Sequence, residues 1–331
     1  MTAQRLRIGL VGAGMVSRHH LLGWQAQSRR AQVVAIADPS RESRVARVEA
    51  FGIERNFPDL RTMLDTVPLD AVDICAPRET HVELVKLAAE RGLPVLCQKP
   101  LAPALAEAEA LVRAVDGRVK LMVHENWRFR PYYRQARRWI EEGRIGTVRQ
   151  ARMDLLSSGM IADAAGARPA LVRQPFFAGL DRLLVMEILI HHIDTLRYLL
   201  GPLTLAASAI GRSTPALRGE DSAVLMLRSA DGTAILTGNL AAYGHGPVLT
   251  DRAEFLGDAG AITLRDGVLA LAGAQPESIA YDLAEAYQTA YDDAIGHFLD
   301  GLETGAPFET GPADNLETLR LVEAVYAASR P

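Results

Sequence analysis

The chain has 331 residues, of which 49% are hydrophobic, and a formal net charge of −4. At about 150 residues per domain, this length predicts two domains or one large one, and the apolar content excludes intrinsic disorder. The charge balance excludes a chain-wide basic surface for nucleic acid. The sequence has no run of about 18 apolar residues, so no membrane span is expected.

Neither the cysteines nor the N-terminal segment indicate secretion. Cys75 and Cys97 form neither a disulfide framework nor a zinc-ligand spacing. The apolar stretch 8–16 is broken by glycines, so a signal peptide is not expected. We therefore expect a cytoplasmic protein.

The first third of the chain alternates short apolar runs with helix-compatible segments. Strands are predicted at 5–11, 32–37, 71–76, 94–97 and 119–124. Helices are predicted at 15–27, after Ser40 as a capping residue, at 80–91 and from about Pro103. Near-continuous apolar strands that alternate with helices predict a doubly wound parallel sheet of the α/β class.

After about residue 125 extended segments dominate. Strands are predicted at 147–156, 204–211, 222–228, 232–240 and 252–256, and helices at 183–200, 284–302 and 312–328. Asp231-Gly232 predicts a hairpin. These elements indicate an α+β domain with helices on one face of an open, mostly antiparallel sheet. The other face needs a cover, which a second subunit usually provides.

A glycine-rich turn stands between the first strand and the first helix. Gly12 and Gly14 begin a G-x-G-x-x-S pattern, in which backbone amides and a helix N-terminus can receive a pyrophosphate. Asp38 ends the next strand, near the expected spacing of about 20 residues, and its carboxylate would accept from ribose hydroxyls. This favours NAD, although Ser40 and Arg41 leave NADP open. The alternative is a glycine turn in an α/β domain that binds no nucleotide. From this pattern we expect cofactor contacts at Gly12, Gly14, Met15, Val16, Asp38, Pro39 and Arg41.

Several motifs then follow in a characteristic order. They are Asp73-Ile74-Cys75-Ala76-Pro77 with His81, Val95-Leu96-Cys97-Gln98-Lys99-Pro100, Asn126-Trp127-Arg128-Phe129-Arg130-Pro131, and Glu187, His191 and Asp194. Together they resemble the Gfo/Idh/MocA oxidoreductases, the glucose-fructose oxidoreductase and inositol dehydrogenase family, over essentially the whole chain. Gln98 stands where the family has Glu, and Glu187 stands where it more often has Asp.

The resemblance implies a Rossmann domain over residues 1–122 and a substrate-binding and oligomerisation domain over residues 123–331. It implies NAD(P)-linked hydride transfer to or from a secondary hydroxyl or carbonyl of a sugar, cyclitol or sugar acid. It implies a homodimer or homotetramer formed through the second sheet, and Lys99 and His191 as the catalytic pair. Further cofactor contacts are implied at Ala76, Pro77, His81, Gln98, Lys99 and Asn126.

The predicted helix 183–200 carries two adjacent histidines. A histidine suits proton exchange near neutral pH. His191 shares a polar stripe with Glu187, which could orient its imidazole, and with Asp194, which is expected to be structural. His192 lies on a mostly apolar stripe typical of a satisfied core histidine. We therefore expect His191 to be the base.

Lys99 follows a buried strand, at the edge where doubly wound sheets bind ligands. Its ammonium would stabilise developing negative charge on the substrate oxygen. The alternative is a solvated surface lysine. Because Gln98 lacks a charge, we expect Lys99 to be held protonated less strongly than beside a glutamate.

Side chains near residue 127 suit a polyhydroxylated ligand. Trp127 offers an apolar face to a sugar ring, and Arg128 is expected to contact substrate. Arginines that could bind a carboxylate are Arg128, Arg130, Arg168 and Arg173. They leave sugar acids open, with solvated surface arginines as the alternative.

Two other functions stay open at this point. One, from the resemblance, is a redox-neutral cycle with retained NAD, as in an oxidoisomerase or a redox-assisted glycosidase. The other is a nucleotide-sensing binding protein of the same fold. No metal site is expected, since the adjacent pairs His19-His20 and His191-His192 cannot both face one ion on a helix.

Overall fold

The computed structural model describes residues 5–329. Up to residue 129 the strands are β1 (Leu6–Val11), β2 (Ala31–Ala37), β3 (Arg55–Phe57), β4 (Ala71–Ile74), β5 (Val95–Gln98) and β6 (Leu121–His124). The helices are α1 (Ser17–Ala26), α2 (Arg41–Phe51), α3 (Leu60–Thr66), α4 (His81–Glu90) and α5 (Leu105–Val115).

From residue 130 the strands are β7 (Val148–Leu156), β8 (Thr204–Gly211), β9 (Ser222–Arg228), β10 (Thr233–Asn239), β11 (Thr250–Gly257), β12 (Ala261–Arg265), β13 (Val268–Ala272) and β14 (Glu277–Ala280). The helices are α6 (Pro131–Glu141), α7 (Pro169–Arg173), α8 (Ile190–Leu200), α9 (Leu283–Thr304) and α10 (Pro312–Ala328). No helix of the described chain is both long and apolar enough to cross a membrane.

The chain forms two compact units. The first ends at Phe129 and also contains Tyr287–Glu317, and the second contains Arg130–Ala286 and the chain from Thr318 on. The predicted boundary at 122/123 differs from this division, because the chain leaves the first unit only after Phe129 and returns to it at Tyr287. The return has a physical cause: the apolar side chains of α9, such as Phe298, pack in the same core as Ile8 of β1.

The first unit is built on a six-stranded parallel sheet in the order β3-β2-β1-β4-β5-β6. This confirms the predicted doubly wound sheet, although β3 and α3 were not predicted. The sheet is covered on both faces, as the buried Leu10 and Val11 of β1 show, because adjacent strand residues point to opposite faces. The turns after β1, β2, β4 and β5 lie at the carboxyl edge, where such sheets bind ligands.

The second unit contains an eight-stranded sheet in the order β14-β13-β12-β11-β7-β10-β9-β8. Among its strand pairs only β7–β10 is parallel, so the predicted mostly antiparallel sheet is confirmed. The predicted hairpin at Asp231-Gly232 joins β9 to β10. The strands β12–β14 were missed, although Asp266-Gly267, both at positive φ, carries the same hairpin signal.

The predicted helix 183–200 is two different helices. Leu184–Leu189 forms a π-helical turn, and α8 follows from Ile190. The turn lies close on β10, where a Cβ at Gly238 would come within 2.9 Å of Leu189. The assumption of one continuous α-helix is therefore wrong, and the turn places Glu187 at an irregular point of the backbone.

Candidate active site

Glycine is needed at positions 12 and 14 of the turn after β1 for two different physical reasons. Gly12 has φ +101°, and a Cβ there would lie 2.7 Å from the Ala76 nitrogen and the Cys75 carbonyl oxygen. The protein itself therefore requires a glycine at position 12. A Cβ at Gly14 would meet no atom of the described residues within 4 Å. The open space beside Gly14 fits a pyrophosphate that approaches the backbone.

The helix N-terminus beside this turn is left for an anion. In the described chain no side chain caps α1, whereas the Ser40 hydroxyl caps α2. The Ser17 hydroxyl donates to the Gly14 carbonyl at 2.6 Å, and Arg47 donates to both groups at 2.9 Å. Ser17 and Arg47 thus hold the turn. The Arg18 and His19 N–H groups of α1 already donate to the carbonyls of Met15 and Val16, so a phosphate would be received by the N–H groups that precede them. The sequence had no local signal for Arg47.

Asp38 connects the end of β2 to the glycine turn. Its Oδ2 accepts from the Ala13 N–H at 2.7 Å, and its Oδ1 accepts from the Ser40 N–H at 2.7 Å. Each carboxylate oxygen keeps further acceptor capacity, which ribose hydroxyls can use. The Ser40 hydroxyl is already used on α2, while Pro39 and Arg41 are exposed beside it.

His81 joins the turns that follow β4 and β5. Its Nδ1 lies 2.8 Å from the Pro100 carbonyl oxygen, and its Nε2 lies 2.9 Å from that of Ala76. The ring is buried, whereas Pro77 is exposed. The placement favours positioning of the loop by His81 over the predicted direct cofactor contact.

Lys99 is half-buried directly after β5, and its backbone N–H donates to the Gln98 side-chain oxygen at 3.1 Å. The nitrogen of the same amide faces His20 Nε2 at 2.8 Å and His124 Nδ1 at 3.2 Å. Gln98 therefore uses its amide inside the unit, which favours positioning of Lys99 over the predicted contact with cofactor. His124 was not among the residues predicted from the sequence.

The segment after β6 contains one candidate donor for the cofactor. Asn126 is 2% exposed, and its Nδ2 has no hydrogen-bond partner among the described residues. A buried amide of this kind fits a polar group of a bound dinucleotide. Trp127 is half-buried and stands edge-on to Tyr287 at 6.1 Å. Arg128 donates to Asp314 at 2.6 Å inside the unit, an arrangement that does not favour the predicted substrate contact.

In the second unit His191 is buried in the first turn of α8, and Glu187 is half-buried in the π-helical turn. A π-helical turn is wider than an α-helical one, so four residues do not close one turn there. The predicted common stripe of Glu187 and His191 assumed a regular α-helix over both residues, and it stays a prediction. Their chemical roles stay predictions.

The π-helical turn is held by two side chains that the sequence analysis missed. The Glu220 carboxylate accepts from the Val185 N–H at 3.0 Å and from the Tyr326 hydroxyl at 2.6 Å. The same hydroxyl accepts from the Met186 N–H at 3.2 Å. Burial and the Glu220 charge raise the pKa of Tyr326, so the phenol keeps its proton and donates it. Glu220 thus satisfies N–H groups at the helix start.

His192 is fully buried, and its Nε2 lies 3.0 Å from Asp251 Oδ1. Asp251 Oδ2 accepts from Arg130 at 2.6 Å, from Tyr132 at 3.1 Å and from Tyr133 at 3.0 Å. Burial alone would raise the pKa of Asp251, but Arg130 and His192 outweigh it and hold that pKa well below its usual range. His192 is therefore a buried core residue paired with Asp251, as the sequence predicts, and Arg130 is an internal ion-pair partner.

The remaining candidate polar residues of this unit have separate surroundings. Asp194 accepts from the Thr318 hydroxyl of α10 at 3.0 Å, which agrees with the predicted structural role. Arg168 has a buried Nε without a hydrogen-bond partner among the described residues, and Arg173 is exposed. Arg168 is thus the predicted arginine best suited to meet a ligand from this unit.

Comparisons with known proteins agree with this architecture. Residues 6–125 match the model of an oxidoreductase family with an NAD-binding Rossmann fold, and residues 133–263 match the GFO/IDH/MocA C-terminal domain. The D-apiose dehydrogenase of Paraburkholderia graminis is 34% identical over 99% of this chain and 89% of its own length. The inositol 2-dehydrogenase of Rhizobium meliloti is 28% identical over 96% of this chain and 95% of its own length.

A solved structure has the same fold over nearly the full length. The oxidoreductase from Agrobacterium radiobacter, in complex with NAD+, L-tartaric acid and magnesium, superposes with a TM-score of 0.89. It is 28% identical and covers 98% of this chain and 96% of its own. The chain belongs to the Gfo/Idh/MocA oxidoreductase family, whose N-terminal domain is an NAD-binding Rossmann fold.

Proposed function

We propose that this protein is an NAD-dependent dehydrogenase that moves a hydride between nicotinamide and a secondary hydroxyl or carbonyl of a polyhydroxylated compound. The observation that carries the proposal is the open space beside Gly14, at an uncapped helix N-terminus and next to Asp38. The names of the relatives support a sugar or a cyclitol as substrate class, and the L-tartaric acid bound to the oxidoreductase of Agrobacterium radiobacter supports including hydroxy acids such as sugar acids. NAD, when bound, supplies the hydride acceptor.

Lys99 is proposed to hydrogen-bond the reacting oxygen. An ammonium there stabilises the negative charge that develops when the hydroxyl loses its proton, and it polarises the carbonyl in the reverse direction. The turn after β5 places Lys99 at the carboxyl edge of the sheet, and Gln98 fixes its backbone N–H. Lys99→Met should lower kcat by about 10²- to 10⁴-fold.

His191 is proposed to exchange the proton, with Glu187 as its supporting carboxylate. His191→Asn should lower kcat, whereas the adjacent His192→Asn should lower the free energy of unfolding because it removes a buried contact to Asp251. Parallel kinetics and urea unfolding of both variants test this division. Equal effects of the two variants on kcat at unchanged stability would contradict it.

NAD is proposed to be preferred over NADP. A 2′-phosphate beside Asp38 would meet a carboxylate that is already held by two backbone N–H groups. Asp38→Ser should therefore raise the ratio of kcat/KM for NADP to that for NAD. The exposed Arg41 is the residue that could hold such a phosphate, so Arg41→Ala should reverse part of that gain.

Substrate and cofactor stoichiometry can be tested in one assay. Purified protein is incubated with NAD and a panel that contains D-apiose, myo-inositol and tartrate, and NADH is followed by its absorbance. Continuous NADH release supports the dehydrogenase. Conversion of a compound without net NADH would instead indicate a redox-neutral cycle with retained NAD, and NAD binding without any turnover would indicate a sensor.

A homodimer or homotetramer through the outer face of the second sheet is also proposed. Val224 and Met226 of β9 are 49% and 39% exposed, while their neighbours Leu225 and Leu227 are buried. Such an apolar face is expected to need a cover. Met226→Lys should dissociate the assembly in analytical ultracentrifugation. Two free, buried thiols agree with a reducing compartment, and the cytoplasm is proposed.

A further inference from the structure

A buried polar cluster lies below Lys99 in the first unit. We call His20, Asp73, Gln98 and His124 the Gln98 cluster; the first two and the last are 0% exposed, and Gln98 is 7% exposed. His20 Nδ1 lies 2.8 Å from Asp73 Oδ2, and His20 Nε2 lies 2.8 Å from Gln98 Nε2. The cluster therefore connects a buried carboxylate to the residue that precedes Lys99.

The orientation of the Gln98 amide is fixed by a backbone group. The Lys99 N–H can only donate, and at 3.1 Å it requires the side-chain oxygen of Gln98 on its side. The amide nitrogen then faces His20 Nε2 and His124 Nδ1. If the amide were flipped, the Gln98 NH2 group would face the Lys99 backbone N–H, and two donors would meet without an acceptor. Both amide hydrogens are therefore directed at ring nitrogens.

This orientation decides where the His20 proton sits. A ring nitrogen that receives an amide hydrogen must be an acceptor, so His20 Nε2 carries no proton. The His20 proton then sits on Nδ1 and is donated to Asp73, whose Oδ2 also receives the Trp24 N–H at 2.7 Å. We propose that Gln98 holds His20 as the neutral Nδ1–H tautomer, so that residue 98 sets the number of protons in the cluster below Lys99.

The surroundings of His20 agree with a neutral ring. The His20 and His124 ring centroids are 4.3 Å apart, so two imidazolium charges there would repel each other. The Tyr291 ring of α9 lies 5.5 Å from His20 and 5.1 Å from His124. Besides these rings, Asp73 faces His20, and its Oδ2 receives two donors, one from His20 and one from Trp24.

Glutamine and glutamate at position 98 therefore require different protonation of the cluster. A glutamate at this position would present only acceptor oxygens to His20 Nε2 and His124 Nδ1. Gln98→Glu removes the two amide protons, and an oxygen can pair with a ring nitrogen only if that nitrogen or the oxygen carries a proton. Because His20 Nδ1 is already used on Asp73, the variant needs one new proton on a ring nitrogen or a carboxylate oxygen of the cluster. It would sit on His20, on His124 or on the new carboxylate. Gln98 performs the same bridging without that proton, and it is a positioning residue rather than a catalytic one.

Neutron diffraction of deuterium-exchanged crystals of the full chain locates these protons directly. In the unmodified protein we expect deuterium on His20 Nδ1, none on His20 Nε2, and two deuterons on Gln98 Nε2. Deuterium on His20 Nε2 would overturn the proposal. This arm needs no variant, so it decides the matter even if a substitution fails to fold.

Gln98→Glu forms the second arm, with Gln25→Glu as the matched control. Gln25 is exposed on α1, the helix that carries His20. Gln25→Glu therefore replaces an amide by a carboxylate on the same helix but outside the cluster. In Gln98→Glu the two amide deuterons of Gln98 are lost, and we expect one additional deuteron on the rings of His20 and His124 or on a carboxylate oxygen of the cluster; in Gln25→Glu the cluster should be unchanged. An unchanged number of deuterons on these ring nitrogens and carboxylate oxygens in Gln98→Glu would also overturn the proposal. Neither result depends on the proposed dehydrogenase activity.

Discussion

Asp251 is the residue whose loss should most disturb the second unit. Four donors converge on its carboxylate, from Arg130, Tyr132, Tyr133 and His192, and it is 6% exposed. Asp251→Asn keeps the shape but removes the charge and replaces one acceptor oxygen by a donor. The buried Arg130 guanidinium then loses its counter-charge.

The size of the effect follows from this geometry. Removing one partner of a buried ion pair costs roughly 3–5 kcal/mol, because the remaining charge stays buried. Set against a typical free energy of unfolding of about 5–15 kcal/mol, this is a large fraction. We therefore expect Asp251→Asn to lower the free energy of unfolding by about 3–5 kcal/mol.

Urea unfolding followed by circular dichroism measures this change. Asp266→Asn is the matched control, because Asp266 pairs with Arg252 at 3.6 Å on the surface with 75% of its side chain exposed. Its effect should stay below about 1 kcal/mol. If Asp251→Asn is within that same range at an unchanged m-value, the inferred role of the Asp251 contacts is refuted.

The lowered pKa of Asp251 also predicts how the free energy of unfolding changes at acid pH. Because the folded-state pKa of Asp251 is lowered, its contribution is full above the unfolded value near 3.9 and is lost as the pH falls through the folded value. The stability difference between wild type and Asp251→Asn should therefore be constant from neutral pH down to about pH 5 and shrink below about pH 4. A difference that shrinks as the pH rises towards 8 would contradict this sign.

Three further predictions concern the glycine turn and the π-helical turn. Gly12→Ala should destabilise the fold, because its Cβ would lie 2.7 Å from backbone atoms at positive φ, as thermal unfolding would show. Gly14→Ala should fold normally but lose NAD affinity in calorimetry, since its Cβ enters the open space; unchanged affinity would argue against pyrophosphate there. Tyr326→Phe should lower the free energy of unfolding by about 1–3 kcal/mol, because Glu220 loses its hydroxyl donor. Tyr243→Phe, at an 87% exposed tyrosine, should have no measurable effect.

The sequence predicted the parts of the fold that local pattern determines. The strands 204–211 and 222–228 and the helix 312–328 agree with β8, β9 and α10 to the residue, because alternation and an N-terminal proline mark them. The return of α9 to the first unit was not predictable, since an amphipathic helix does not record which core it joins. The π-helical turn was missed for a related reason: its contacts, such as those of Glu220, are distant in sequence.

The site was predictable where a motif carries its own chemistry. The glycine turn, Asp38 and the position of Lys99 follow from strand, turn and helix order. The partners that fix these groups were not predictable from the sequence. The roles of Arg47 and His20 and the orientation of Gln98 depend on contacts between separate elements. Arg128 was expected to meet substrate from its motif alone, and its pair with Asp314 is a contact between separate elements that the motif does not record; its substrate contact stays a prediction.

The most direct test of the central claim is NADH formation by wild type, Lys99→Met and His191→Asn over the same substrate panel. We predict continuous NADH release from at least one polyhydroxylated compound by the wild type, and a loss of about 10²- to 10⁴-fold in kcat in each variant when NAD is saturating. NADH release by both variants at the wild-type rate, or its absence with every compound while NAD still binds, would contradict the assignment of this protein as a dehydrogenase that works through Lys99 and His191.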